Sequence, residues 1–147
     1  MSKIWVGKAP LDAANLLAGF SVSAGGAGAI VSFTGIVRAD AKTQSLTLTH
    51  FPDFTEAQIA EILDTATKRW DLQGALVYHR VGEMQIGETI VFVATASAHR
   101  RAAFEACDFI MDYLKSEAPF WKQETDDGGV RWIEPRRADI NDKKRWA

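Results

Sequence analysis

Hydrophobic positions along the chain recur with two periods, near two and near 3.6 residues, and the changes between them divide it into short elements. Residues 3–7 form an apolar run that reads as a strand. Pro10 then opens a segment whose leucines, Leu11, Leu16 and Leu17, have helical spacing, and Gly19 is expected to end it. After a loose stretch at 21–28, residues 29–37 are rich in β-branched side chains and predict a long strand that runs directly to Arg38.

The polar segment 39–45 reads as a loop. Residues 46–50 alternate strictly, which predicts a half-buried strand paired with its predecessor. From Thr55, read as an N-cap, Ile59, Ile62, Leu63, Ala66 and Trp70 follow the helical period. A second long helix is predicted over 98–116, with Ser97 as its N-cap. Between the helices, strands at 75–81 and 89–96 flank a turn-rich 82–87 and are expected to form a hairpin. Pro119 breaks the second helix, and strands at 120–125 and 130–134 flank Asp126-Asp-Gly-Gly129, a strong hairpin signal.

The order βαββαββαββ indicates an α+β fold, with a mixed, largely antiparallel sheet and helices packed on it. No repeat or linker divides residues 1–147, so one domain is expected. The charged tail from about 135 is a candidate for ordering by a partner.

Composition narrows the function classes. The net charge of −2 argues against whole-surface attraction to nucleic acid or membrane and leaves room only for a concentrated basic site. Nucleic-acid stacking by the five tryptophans is therefore a weak reading. A single cysteine, Cys107, forbids an internal disulfide. With no signal-like start and no membrane-length apolar run, a cytoplasmic protein is expected.

The candidate chemistry is cationic. Ser97-Ala-His-Arg-Arg101 places His99 and Arg100 at a helix start, where the dipole disfavours cations by about 0.3–1 kcal/mol each. Two readings stay open there: a receptor for phosphate or carboxylate, or a solvated turn paired with Glu105 or Asp108. Lys115 lies near the end of the same helix, where a lysine is also an ordinary dipole partner. Strand alternation puts Lys122 on the face of Phe120 and opposite Trp121, beside an aromatic surface. Arg38 gains meaning only if it converges with His99 and Lys122. Gly25-Gly-Ala-Gly28 precedes a strand and lacks the residues of a phosphate-binding loop. The scattered His50, His79 and His99 have no metal-ligand spacing, and Cys107 falls on an apolar helix face as a buried thiol. Neither a metal nor a cofactor is expected.

Four blocks together resemble a known family: Phe33-Thr-Gly-Ile-Val-Arg38, His79-Arg-Val-Gly-Glu83, Ser97-Ala-His-Arg100, and residues 111–122, where Lys115 and Lys122 bracket Pro-Phe-Trp. They look like the large, catalytic subunit of molybdopterin synthase, over about 28–132. The resemblance implies an α/β hammerhead-type fold and a sulfurtransferase of molybdenum cofactor biosynthesis. It implies a homodimer of large subunits, each binding a small ubiquitin-like sulfur carrier, to give a heterotetramer. The carrier's C-terminal glycine thiocarboxylate would deliver sulfur to cyclic pyranopterin monophosphate and so build the dithiolene.

By the same resemblance, Lys115 and Lys122 are the catalytic lysines. Phe33, Arg38, His99 and Arg100 match substrate-binding residues. Arg136 is similar to an arginine that reaches the neighbouring subunit's site, with Arg137 as the alternative register. Rival readings are a non-enzymatic module of the same fold that binds anions or a protein tail, and a thiol enzyme using Cys107.

Overall fold

The computed structural model describes residues 1–38, 43–117, 120–126, 129–133 and 137–146, of which 43–44, 121–126, 130–133 and 137–139 are described by their backbone alone. Among these residues, eight strands form two four-stranded sheets, accompanied by four helices. In chain order the elements are β1 (Ser2–Gly7), α1 (Ala13–Ser23), β2 (Ala29–Ile36), β3 (Thr43–His50), α2 (Phe54–Trp70), β4 (Gly74–Arg80), β5 (Gly82–Gln85), β6 (Thr89–Ser97), α3 (Arg100–Ser116), β7 (Phe120–Asp126), β8 (Gly129–Ile133) and α4 (Arg137–Lys144).

The first sheet has the order β1-β4-β6-β2; β1 runs parallel to β4 and the other pairs are antiparallel. The second has the order β5-β3-β7-β8 and is antiparallel throughout. The fold is therefore α+β with a largely antiparallel sheet arrangement, as the element order predicts.

Alternation on the first sheet builds two layers of core. Ala75, Val77, Val91 and Val93 face α2 and α3, where Ile59, Leu63, Ala66, Phe109 and Ile110 meet them. Leu76, Phe92, Ala94 and Ala96 face the other way, onto Phe20 of α1. A third cluster, Val37, Leu46, Leu48, Val81 and Met84, joins the end of the first sheet to the second. At about 1.5–3 kcal/mol for each large side chain buried, this third cluster is enough to fix how the two sheets meet.

Several expectations are corrected. The strand at 46–50 does not pair with its predecessor: β2 pairs with β6, while β3 lies between β5 and β7 in the other sheet. Leu46 and Leu48 are buried against Val81 and Met84, and this burial outweighs proximity in sequence. The predicted 75–81/89–96 hairpin does form, but its turn contains β5, which leaves to pair with β3. Gly19 lies inside α1, which continues to Ser23. Thr55 is not the N-cap of α2; Asp53 is, and the Thr55 hydroxyl accepts from Phe51 N–H at 3.0 Å while the Glu56 carboxylate accepts from Asp53 N–H at 3.2 Å.

Ser97 is likewise no cap. It is the buried last residue of β6, its carbonyl accepts from Gly28 N–H at 3.0 Å, and the N-cap of α3 is the extended His99.

The hairpin at Asp126-Asp-Gly-Gly129 is borne out by the pairing of β7 with β8, where Gly129 takes the left-handed φ of 114°. The tail carries its own anchor. Asp112, buried on α3, accepts from Arg145 Nη2 at 2.7 Å and from Trp146 Nε1 at 2.5 Å, and Arg69 Nη1 donates to the Trp146 carbonyl at 2.8 Å. Trp146 meets Trp70 and Phe109 edge-on, so α4 is held against α3 by this chain alone. Among the described residues, no helix is long and apolar enough to cross a membrane.

Candidate active site

The junction of the two sheets gathers half of the expected site. α3 ends there, with Lys115 exposed in its last turn. Beneath it, His79 is buried near the end of β4, paired opposite Val91. The His79 ring stacks on Phe120, the first residue of β7, with centroids 4.1 Å apart and planes at 18°. Its Nδ1 lies 2.8 Å from the Arg80 carbonyl, an acceptor, so Nδ1 carries the proton and Nε2 the lone pair.

Burial is the main reason that His79 is pushed down to about 4 from its ordinary value of 6.5. The hydrogen bond to Arg80 opposes that shift, while Lys115 and His50 add to it. The residue is thus neutral at pH 7, and its sensitivity to Lys115 and His50 places both within electrostatic range. His50 stands opposite Phe120 in the β3–β7 register, with Nε2 3.4 Å from Glu56 Oε1.

Arg38 comes to the same end of the molecule. Val37, just before it, is buried; its N–H donates to the Glu88 carbonyl at 2.9 Å and its carbonyl accepts from Gly87 N–H at 2.8 Å. That turn is fixed in its own right by Arg80, which is buried and donates to Glu88 Oε1 at 3.2 Å and to the Lys8 carbonyl at 3.1 Å. Gln85 N–H donates to the other Glu88 oxygen at 2.6 Å, and this bond, with Arg80 second, holds the Glu88 carboxyl below its usual range. The block His79-Arg-Val-Gly-Glu83 therefore serves two needs: His79 lines the junction and Arg80 secures the turn that presents Arg38.

Lys122 belongs to this end by backbone register, opposite Leu48 on one side and Ile133 on the other; its side chain lies outside the described residues. Arg136 and residues 39–42 lie outside them too. The alternative Arg137 begins α4. Phe33 sits mid-strand opposite Val93 and is 39% exposed. Its ring lies close over Gly35, where an added Cβ would come within 3.2 Å of it and 2.6 Å of Val91.

His99 and Arg100 are not brought together with these groups. They stand at the opposite end of α3, and sixteen helical steps of about 1.5 Å put roughly 24 Å between His99 and Lys115. The β2–β6 register agrees, since Ala29 pairs with Ser97 at one end and Ile36 with Thr89 at the other. Gly28 lets β2 begin beneath this helix start, because a Cβ there would lie 2.0 Å from the Ala98 carbonyl oxygen.

The acids that were to pair with the basic turn are engaged elsewhere: Glu105 accepts from Trp70 Nε1 at 3.0 Å, and Asp108 from Arg145 at 2.8 Å. Among the described residues no carboxylate pairs with His99, Arg100 or Arg101, all exposed, and the first turn of α3 contains no acid. Uncompensated cations at a positive helix end fit an anion receptor better than a solvated ion pair.

Cys107 is buried in the main core, and its thiol is pushed up to about 12 by burial first and by Asp108 second, which disqualifies it as a nucleophile. Sequence reasoning missed His79, His50 and Phe120 as members of the site. The available signal was a histidine on a strand otherwise made of core residues, followed by a buried arginine.

Residues 6–117 match the family described as MoaE protein. The chain belongs to the MoaE family. The molybdopterin synthase catalytic subunit of Caulobacter vibrioides is 49% identical over 138 residues, covering 93% of this chain and 92% of that protein. A MoaE protein of molybdopterin biosynthesis from Burkholderia ambifaria has the same fold, with a TM-score of 0.86 and 37% identity over 99% of this chain and 98% of its own. The fold also recurs, at a TM-score of 0.77 and 23% identity, over 92% of this chain and 91% of a Helicobacter pylori chain described as a complex of subunits 1 and 2 of molybdopterin-converting factor. The MoaE match ends at 117 and so includes Lys115 but stops short of Lys122, which the longer Burkholderia superposition covers.

Proposed function

We propose that this MoaE-family chain is the catalytic subunit of a molybdopterin synthase, a sulfurtransferase that moves sulfur from a carrier protein's C-terminal thiocarboxylate to cyclic pyranopterin monophosphate. The observation that carries the reading is the placement of Lys115 above a buried, neutral histidine, at the end of the molecule where the anchored Arg38 also emerges. Two anions must approach one another there, and clustered cations offset their repulsion.

In this scheme Lys115 holds and polarises the thiocarboxylate, and Lys122 transfers protons as sulfur adds and the cyclic phosphate opens. Arg38, His99 and Arg100 hold the phosphate and pterin, Phe33 packs beside them, and Arg136 joins from the tail. The small carrier as partner is supported by the two-subunit description of the Helicobacter pylori protein. The absence of membrane-length helices among the described residues and the single buried cysteine accord with a cytoplasmic setting.

The separation of about 24 Å along α3 supports a homodimer. Side chains from the two ends of one helix cannot close on one small anion, so His99 and Arg100 would complete the site of a neighbouring copy. With the two carriers, that arrangement is a heterotetramer.

The test is Lys115→Ala in the full chain, with thiocarboxylated carrier and cyclic pyranopterin monophosphate, read as dithiolene formed. A loss of about a hundredfold or more is expected for a group that acts on the reacting atoms. Near-normal turnover in a folded variant overturns the assignment. Carrier binding without product from the wild-type chain would instead identify a binding module.

A further inference from the structure

His79 does more than fill space at the junction. It is the ring against which β7 begins: Phe120 stacks on it at 4.1 Å, and Phe120 also packs against both the main core and the cluster joining the sheets. Lys115 lies five residues before Phe120, at the end of α3, and the backbone of Lys122 lies two residues after it, in register with Leu48 and Ile133. Whatever locates Phe120 therefore locates the start of the strand that carries Lys122.

The choice of side chain is informative. A phenylalanine or leucine at 79 would fill the volume but leave the Arg80 carbonyl without the donor now 2.8 Å away. A protonated imidazole would satisfy that carbonyl but add a charge facing Lys115 of α3 and His50 of β3. A neutral ring with its proton on Nδ1 meets both demands and offers a flat face to Phe120, and the flat face is what the positioning requires.

We propose that His79 is a positioning residue for sulfur transfer: through its stack on Phe120, with the Arg80 bond fixing its tautomer, it sets where the β7 backbone at Lys122 stands relative to Lys115. The proposal rests on the sulfurtransferase reading for its kinetic consequence and on the geometry alone for its structural one.

The experiment compares His79→Leu, His79→Asn and His79→Phe in the full chain. His79→Leu loses both stack and donor, His79→Asn keeps a donor without a ring, and His79→Phe keeps the ring. Dithiolene formation is measured with thiocarboxylated carrier, and carrier affinity by titration calorimetry. His79→Leu and His79→Asn should lower kcat by about tenfold or more while carrier Kd stays within about twofold, and His79→Phe should restore kcat to within about threefold of wild type.

Equal losses in His79→Phe and His79→Leu, a loss confined to KM or carrier Kd, or wild-type kcat in folded His79→Leu would each overturn the proposal. Should His79→Leu fail to fold, Phe120→Leu replaces it with the same expected loss, and wild-type kcat in that variant is equally fatal. If the wild-type chain makes no dithiolene, the functional reading fails, yet positioning is still read from the NMR signal of 13C-methylated Lys122. That signal should move in His79→Leu and return in His79→Phe; an unmoved signal overturns the proposal.

Discussion

The two ends of α3 are built on opposite plans. At its C-terminal end Lys115 stands over packed structure: a buried histidine, an aromatic stack across two sheets, and a turn pinned by the buried Arg80. At its N-terminal end His99, Arg100 and Arg101 are exposed, and among the described residues no carboxylate neutralises them. One end is packed within the chain, and the other presents exposed basic side chains to whatever approaches from outside. Fixed geometry suits groups that act on reacting atoms. Exposed cations at a helix start suit the capture of a phosphate presented from outside.

The sharpest way to break this comparison is to divide the two ends between chains. Lys115→Ala and Arg100→Ala are each expected to abolish most activity, the first by about a hundredfold and the second by about tenfold or more. Co-expressed as mixed dimers, they should recover about a quarter of wild-type activity, because half of the dimers are mixed and each of those contains one intact composite site. Recovery no greater than the average of the two separate variants would mean that both ends serve the same chain's site, and the homodimeric arrangement would fall.

The next test concerns only the packed end. His79 has a folded value of about 4 against 6.5 when unfolded, so below pH 6.5 the unfolded chain binds the extra proton. The stabilisation from keeping His79 neutral is fully present above pH 6.5 and is lost as pH falls toward 4. By the linkage relation, the loss is about 2 kcal/mol at pH 5 and about 3 kcal/mol at pH 4. Urea unfolding of wild type and His79→Phe at pH 7 and pH 5 isolates this contribution. The wild type should lose about 2 kcal/mol more than the variant, and parallel behaviour would show that His79 is not desolvated as the fold implies. Arg100→Ala, at the exposed end, should leave that pH dependence unchanged.

A smaller effect is expected about one turn before the C-terminal end of the helix. Asp112 ties Arg145 and Trp146 to α3, but Arg145 is half exposed, so its ion pair is discounted for solvent screening. Asp112→Ala should cost about 1–2 kcal/mol, chiefly through the unpaired Trp146 N–H and loosened ring packing. It should also increase hydrogen exchange in α4 and leave that of β4 and β6 unchanged. A uniform increase would mean that the tail supports the whole molecule.

How much of this was legible beforehand divides along physical lines. α2 and α3 could be read because their burial follows the helical period, as in Ile59, Ile62, Leu63 and Ala66, and β4 and β6 because each is a short, nearly continuous buried run. The partner of β3 could not, because the cluster that captures Leu46 and Leu48 is assembled from Val37, Val81 and Met84, all distant in sequence. Lys115 and Arg38 were identifiable from family blocks. The separation of Lys115 from His99 and Arg100 was legible too, since they stand at opposite ends of one predicted helix; that Arg38 comes to the Lys115 end was not, because it depends on the pairing of β2 with β6. His79 escaped because its role depends on Phe120, forty-one residues later and in the other sheet.

The smallest expected effect bears on where sulfur enters. If either end of α3 drew on a thiol within this chain, it would have to be Cys107, the only cysteine. That side chain is 5% exposed among Leu63, Val93 and Phe109, and at a value near 12 essentially none of it is thiolate at pH 7. Cys107→Ala should keep turnover within about twofold and cost about 1 kcal/mol for the small cavity. The native thiol should resist alkylation until the chain unfolds. A collapse of dithiolene formation in a folded Cys107→Ala chain would bring the sulfur source inside the subunit and remove the need for a carrier. Retained activity leaves the subunit without a thiol that takes part, in accord with the proposed delivery of sulfur by a carrier.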